Sequence, residues 1–133
     1  MRIKRIDHVG VAIQDLEGMR PALGILFKGM EPHCEEVADQ AVKATCFRVG
    51  ETSIEFLEST SDDGPIGRYL AKKGNGIHHL AVHVEDIEGA LAELKEAGIP
   101  LVDETPRLGA EGKKIAFLHP KGTGGILIEL CQG

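Results

Sequence analysis

The chain has 133 residues, 42% of them apolar and 27% charged, which fits one compact soluble domain or two small fused halves. That balance excludes a disordered tail, a fibre and a coiled-coil rod, and no stretch approaches the ~20 apolar residues of a membrane span. The formal charge of −6 argues against nucleic acid as a general partner, because phosphate contacts need clustered Lys and Arg. Charges interrupt every apolar run of the opening MRIKRIDHVGVAI, so no secretory signal is read and the expected location is cytoplasmic. Cys34, Cys46 and Cys131, without a CxxC pair, read as buried thiols in a reducing compartment.

Residues 3–13 alternate with β-branched side chains and predict the first strand. Asp15 is an N-cap type that opens a helical pattern, and Pro21 belongs in its first turns or bends it. Strands are expected at about 32–37, 42–49 and 52–58, followed by a short connecting helix over 65–73. A strand over 76–84 leads to Asp86 and a helix whose apolar stripe is Ile87, Ala90, Leu91, Leu94 and Ala97, ending at Gly98 and Pro100. Strands at 99–103, 114–118 and 125–131 complete the chain, and Gly109 to Gly112 reads as a mobile turn. Gly122 to Gly125 lacks the order of a phosphate loop and reads as a turn into the last strand.

The same pattern occurs twice. At an offset of 71, Ile6, His8, Val11, Asp15, Glu17 and Gly18 return as Ile77, His79, Val82, Asp86, Glu88 and Gly89. At an offset of 74, Gly50-Glu-Thr-Ser-Ile-Glu-Phe returns as Gly124-Gly-Ile-Leu-Ile-Glu-Leu. The expectation is one domain over 1–133 with repeats over about 1–60 and 76–133, joined by a linker at about 61–75. The fold class is α+β: tandem βαβββ modules forming a curved mixed sheet.

Strand parity sorts the polar residues. Val9, Val11 and Ile13 form a bulky face that should pack under the first helix, leaving His8 opposite with Ile6, Gly10 and Ala12. Leu80, Val82 and Val84 likewise leave His79 opposite; Ile54 and Phe56 leave Glu55, and Ile128 and Leu130 leave Glu129. All four fall on faces expected to be free of helices. A carboxylate on an inward face is costly unless paired or metal-bound, so His8, Glu55, His79 and Glu129 suit one divalent cation between the halves. Imidazole plus carboxylate without thiolate favours Co, Ni, Zn, Mn or Mg. His78 points by parity towards the helix layer and reads as structural; His33, His83 and His119 have no histidine partner in the repeat. Lys72-Lys73, Lys113-Lys114 and Lys121 are the candidates for holding an anionic ligand.

The duplicated module with its His…Glu…His…Glu set resembles the vicinal oxygen chelate (glyoxalase) superfamily. Within it the chain is similar to the methylmalonyl-CoA epimerase family, most densely in Ile66–Ala81 and continuing through Asp103–Gly112 and Phe117–Leu130, with the segments HHLA, FLHPK and GGILIEL. The resemblance implies a metal at His8, Glu55, His79 and Glu129, a CoA thioester substrate and a homodimer. It implies an isomerase that interconverts (2R)- and (2S)-methylmalonyl-CoA through an enolate in propionate metabolism, with Glu129 as one proton carrier. The second carrier is open between Glu55, a bound water and a side chain such as Lys43. Some family members carry a Glu in the middle strand where this chain has Ala44, and Met19–Gly24 replaces the family's aromatic-rich first helix. The alternatives are a glyoxalase I-type lyase acting on a glutathione hemithioacetal, and a small-molecule-binding module of the same fold. An extradiol dioxygenase needs only three ligands and leaves Glu55 unexplained.

Overall fold

A computed structural model describes residues 2–109 and 112–133. Ala110 and Glu111, inside the expected Gly109–Gly112 turn, lie outside the described residues. The element order is β1 (Ile3–Ala12), α1 (Arg20–Leu26), β2 (His33–Val37), β3 (Val42–Val49), β4 (Thr52–Ser59) and α2 (Pro65–Lys73), then β5 (Gly76–Val84), α3 (Ile87–Glu96), β6 (Arg107–Leu108), β7 (Lys114–Phe117) and β8 (Leu127–Gln132). With α2 as connector, this is βαβββ twice, as the repeat implies. The chain divides into two compact units, Val9–His78 and Met1–His8 with His79–Gly133.

In the unit Val9–His78 the strand order is β2-β3-β4-β1. β3 and β4 form an antiparallel hairpin whose last pair is Val49↔Thr52. The two-residue turn between them needs a positive φ at its first position, and Gly50 supplies it at 64°. A 3₁₀ turn at Glu17–Met19 precedes α1, and Pro21 sits in the first turn of α1, where its missing N–H leaves no helix bond unmade. Leu23 of α1 buries against Ile13, Phe47 and Phe56, with Val11 and Ile54 packed beside them. This is the bulky face that parity assigns to the helix side.

The opposite face of this unit differs from expectation. Ile66 and Leu70 of α2 pack on Ala12, Val42, Ala44 and Leu57, so part of the face that carries Glu55 is covered by a helix. Repeat alignment hides this, because the connecting helix has no counterpart in the second copy. Its apolar side needs a partner, and Ala12 and Ala44 are small enough to let it approach.

In the other unit β1 is followed in sheet order by β5, β8, β7 and β6. β5 and β8 run parallel, while β8–β7 and β7–β6 are antiparallel, giving a mixed arrangement. Asp86 caps α3 by accepting the Gly89 N–H at 3.1 Å. The helix ends in a Schellman motif: Ile99 N–H donates to Leu94 O and Gly98 N–H to Lys95 O, both at 3.0 Å, with Gly98 at φ 77°. Ile87, Ala90 and Leu91 bury against Val82, Val84, Ala116, Leu118 and Leu130. That packing turns the other parity set of β5 and β8, His79 and Glu129 included, away from the helix.

The strand expected at 99–103 does not form. Its residues contribute one isolated bridge, Leu101↔Leu118, and the edge strand is Arg107–Leu108 instead. The reason lies in the backbone donors. The Ile99 N–H is spent on the helix cap, Pro100 has none, and Val102 and Asp103 both donate to Phe117 O, at 2.9 and 3.2 Å, so the ladder cannot advance. The last strand begins at Leu127 rather than 125, because Gly124 and Gly125 hold positive φ in the preceding turn.

Leu91 is only 2% exposed at the centre of the α3 core. Leu91→Ala is expected to cost about 2–5 kcal/mol, read as a lower midpoint with unchanged slope in urea unfolding.

Candidate metal centre

Three of the four expected ligand residues come together within one unit. His8, His79 and Glu129 each offer a ligand atom, and these atoms all lie within 4.8 Å of one another. The Nε2 atoms of His8 and His79 are 3.0 Å apart, and each is 3.7 Å from Glu129 Oε1. The rings meet edge to face, at 86° with centroids 5.0 Å apart. All three side chains are buried, with exposures of 9%, 7% and 6%. β5 and β8 set the spacing, since His79 pairs with Leu127 and Ala81 with Glu129 in the parallel register.

The donor set fits a divalent cation. A buried carboxylate is costly to desolvate, and a cation beside it offsets that cost. Atoms each about 2.1 Å from one ion stand roughly 3 to 3.5 Å apart, close to the separations here. Neutral imidazole nitrogen and carboxylate oxygen together are the ligands of borderline and hard ions.

Glu55 belongs to the unit Val9–His78. It is half-buried on β4, opposite Cys46 in the β3–β4 register, and shares its parity face with Leu57. Its place opposite the α1 side agrees with the sequence reading.

Around the cluster are residues that sequence reasoning missed. Asp7 Oδ2 accepts a hydrogen bond from His8 Nδ1 at 2.8 Å, and its other oxygen is 3.6 Å from Lys113 Nζ. That hydrogen bond holds the Asp7 carboxyl down to about 2 from its ordinary 3.8, against desolvation and with help from the Lys113 charge. Phe117 sets its ring edge-on to His79 at 6.2 Å, and the Arg107 guanidinium lies over the same ring at 5.4 Å. Asp103 fixes both neighbours, accepting the Phe117 N–H at 2.8 Å and facing Arg107 Nε at 3.4 Å. Burial pushes the Cys131 thiol up to about 12, so it stays protonated and inert at neutral pH. Asp7 stood outside the repeat argument because its equivalent is His78, and parity alone sends it to the face opposite His8.

The remaining candidates are structural or peripheral. The Tyr69 ring meets His78 edge-on at 5.0 Å, and burial lowers the pKa of that imidazole. His119 Nδ1 accepts the Lys121 N–H at 3.0 Å, capping the short turn there. Of the basic residues, Lys113 is committed to Asp7 and Lys114 to Glu88 at 2.9 Å, while Lys72 and Lys73 close the last turn of α2.

Residues 7–117 match the Glyoxalase/Bleomycin resistance protein/Dioxygenase superfamily. The chain belongs to this superfamily. The uncharacterized protein YqjC of Bacillus subtilis is 37% identical over 134 residues, covering 98% of this chain and 93% of that protein. The ethylmalonyl-CoA/methylmalonyl-CoA epimerase of Cereibacter sphaeroides is 36% identical, covering 98% of both chains. A solved methylmalonyl-CoA epimerase in complex with methylmalonyl-CoA and NH4+ superposes with a TM-score of 0.86 at 32% identity, covering 99% of this chain and 96% of that one. The superfamily membership agrees with the sequence resemblance and with the βαβββ repeat.

The depressed pKa of Asp7 has a consequence for stability. A carboxyl depressed on folding stabilises the folded state above its unfolded value, and that contribution disappears as pH falls through the folded value. In the metal-free protein, the difference in unfolding free energy between the natural sequence and Asp7→Asn should therefore close between about pH 4 and about pH 2. Urea titrations across that window measure it; a difference that widened on acidification would contradict the assignment.

Proposed function

We propose that this chain is a metal-dependent methylmalonyl-CoA epimerase, interconverting (2R)- and (2S)-methylmalonyl-CoA through an enolate. What carries the reading is the convergence of His8, His79 and Glu129 in a buried cluster of a chain 36% identical to an ethylmalonyl-CoA/methylmalonyl-CoA epimerase along nearly its whole length. His8, His79 and Glu129 would hold one divalent ion, with Glu55 as a fourth ligand on the strength of the repeat and the resemblance. The ion is one of Co, Ni, Zn, Mn or Mg by donor type. When bound, it supplies Lewis-acid polarisation of the substrate oxygens, worth several kcal/mol.

The substrate C–H lies between a thioester carbonyl and a carboxylate, and its acidity comes from delocalisation of the electron pair into the carbonyl. The Glu129 carboxylate takes this proton as the C–H bond breaks, leaving the pair in the enolate. Return of a proton to the other side of the same carbon gives the epimer. A positioned base of this kind contributes roughly 10²–10⁴-fold. Inversion needs a second carrier, and Glu55 or a bound water supplies it in this reading. Phe117, edge-on to His79, contributes an apolar wall that excludes water from the reacting carbon.

The working form is taken to be a cytoplasmic homodimer serving propionate metabolism. Ile25 and Leu26, 78% and 72% exposed, support self-association by offering apolar surface.

The test is incubation of the Co2+-loaded protein with (2R)-methylmalonyl-CoA in deuterated water, following deuterium at C2 and the appearance of the (2S) epimer. A parallel arm offers the hemithioacetal of glutathione and methylglyoxal. Exchange on the hemithioacetal alone replaces this reading with a glyoxalase I-type lyase, and binding without exchange on either substrate replaces it with a carrier module. His79→Ala should lose both the ion and turnover. Glu129→Gln should keep part of the ion affinity while C2 exchange falls by about 10² or more; unchanged exchange would remove Glu129 from proton transfer.

A further inference from the structure

His8 enters the cluster already oriented. Its Nδ1 faces Asp7 Oδ2 at 2.8 Å, and its Nε2 faces His79 Nε2 at 3.0 Å and Glu129 Oε1 at 3.7 Å. An ionised carboxylate has no proton to give, so in the Asp7–His8 contact the ring nitrogen must be the donor. The proton of the neutral imidazole then sits on Nδ1, and the lone pair on Nε2 points into the cluster. That lone pair faces His79 Nε2 at 3.0 Å. His8 therefore turns its coordinating nitrogen towards the cluster from the outset.

The carboxylate that imposes this order is itself fixed. Asp7 is only 11% exposed in its side chain, and its second oxygen is held 3.6 Å from Nζ of Lys113, the residue before β7. This cation, far from Asp7 in sequence, favours the carboxylate orientation that also meets the His8 ring.

We infer that Asp7 is a positioning residue of the metal centre: held by Lys113, it fixes the Nδ1–H tautomer of His8 and so presents Nε2 as a ready ligand. The inference rests on reading the cluster as a cation site. Partners of this kind raise ligand basicity and hold ring orientation, and losing one weakens metal affinity about 10- to 100-fold.

The decisive measurement needs no variant. Long-range proton–nitrogen spectra of the ¹⁵N-labelled, metal-free natural protein at neutral to mildly basic pH should show His8 protonated on Nδ1 and bare on Nε2. In Asp7→Ala the His8 signals should move towards the Nε2–H form. Competition against a chelator should show Co2+ binding weakened about 10- to 100-fold in Asp7→Ala and by less in Asp7→Asn, whose amide oxygen still accepts. Lys113→Met should weaken it roughly two- to fivefold, since it loosens the carboxylate without removing it. A natural protein that binds Co2+ with His8 protonated on Nε2 overturns the positioning role alone, as does an Asp7→Ala protein that binds Co2+ like the natural one. A natural protein that binds no Co2+ overturns the cation reading together with it. The expected tautomer and Co2+ affinities without any C2 exchange uphold the role of Asp7 and refute only the proposed reaction.

Discussion

The constraint on which the rest depends is the burial of Glu129 beside two imidazoles, in a place nearly closed to water. A carboxylate stripped of its hydration is unfavourable by several kcal/mol unless charge or hydrogen bonds replace the lost water. Neither His8 nor His79 stands close enough to Glu129 for a hydrogen bond of ordinary length. His8, His79 and Glu129 together form a donor set that fits a divalent cation, and the surrounding fold keeps the donors in place. β5 and β8 run parallel and pin His79 and Glu129 on one side, while α3 occupies the other with Ile87 and Leu91. Sheet register sets the ligand spacing, and the apolar core beneath it keeps that register from slipping.

The duplication makes the ligands symmetric and their supports asymmetric. His8 and His79 occupy equivalent positions, but the residue before each differs: Asp7 in the first copy and His78 in the second. Asp7 stays beside its own histidine, whereas His78 packs on the Tyr69 ring of the connecting helix. Equivalent ligands thus need not be equally prepared.

Much of this was legible in the sequence, for physical reasons that can be named. The repeat exposed the βαβββ order, and period-two alternation sorted His79 and Glu129 to the side away from α3, because a one-residue error would have buried the wrong set. Asp86, Gly98 and Pro100 marked both ends of α3, since capping chemistry is local. The failures are equally local in cause. Residues 99–103 have strand-like composition, yet their backbone donors are claimed by the helix cap and by Phe117 O, which composition does not record. Asp7 was invisible because alternation describes where a side chain leaves the strand, not where a short carboxylate can curl back to reach its neighbour's ring. The cover that α2 places on Ala12, Ala44 and Leu57 comes from the one helix outside the repeat, which self-comparison cannot find.

That cover bears on the proton transfer of the proposed reaction. Ala44, where the family resemblance implies a glutamate in some members, is buried with Val42, Leu57, Ile66 and Leu70. A carboxylate among those side chains would lack charge partners and would be costly to ionise, so the substitution to alanine and the packing of α2 are one consistent choice. Lys43 offers no replacement from its own strand, because it is exposed and lies on the side of β3 opposite to Ala44. Glu55 shares the parity face of Leu57 and is only half-buried, so it retains access to water that Ala44 has lost. Within the unit Val9–His78, then, the parity face of β4 keeps one water-accessible carboxylate, Glu55, beside an otherwise apolar patch closed by α2.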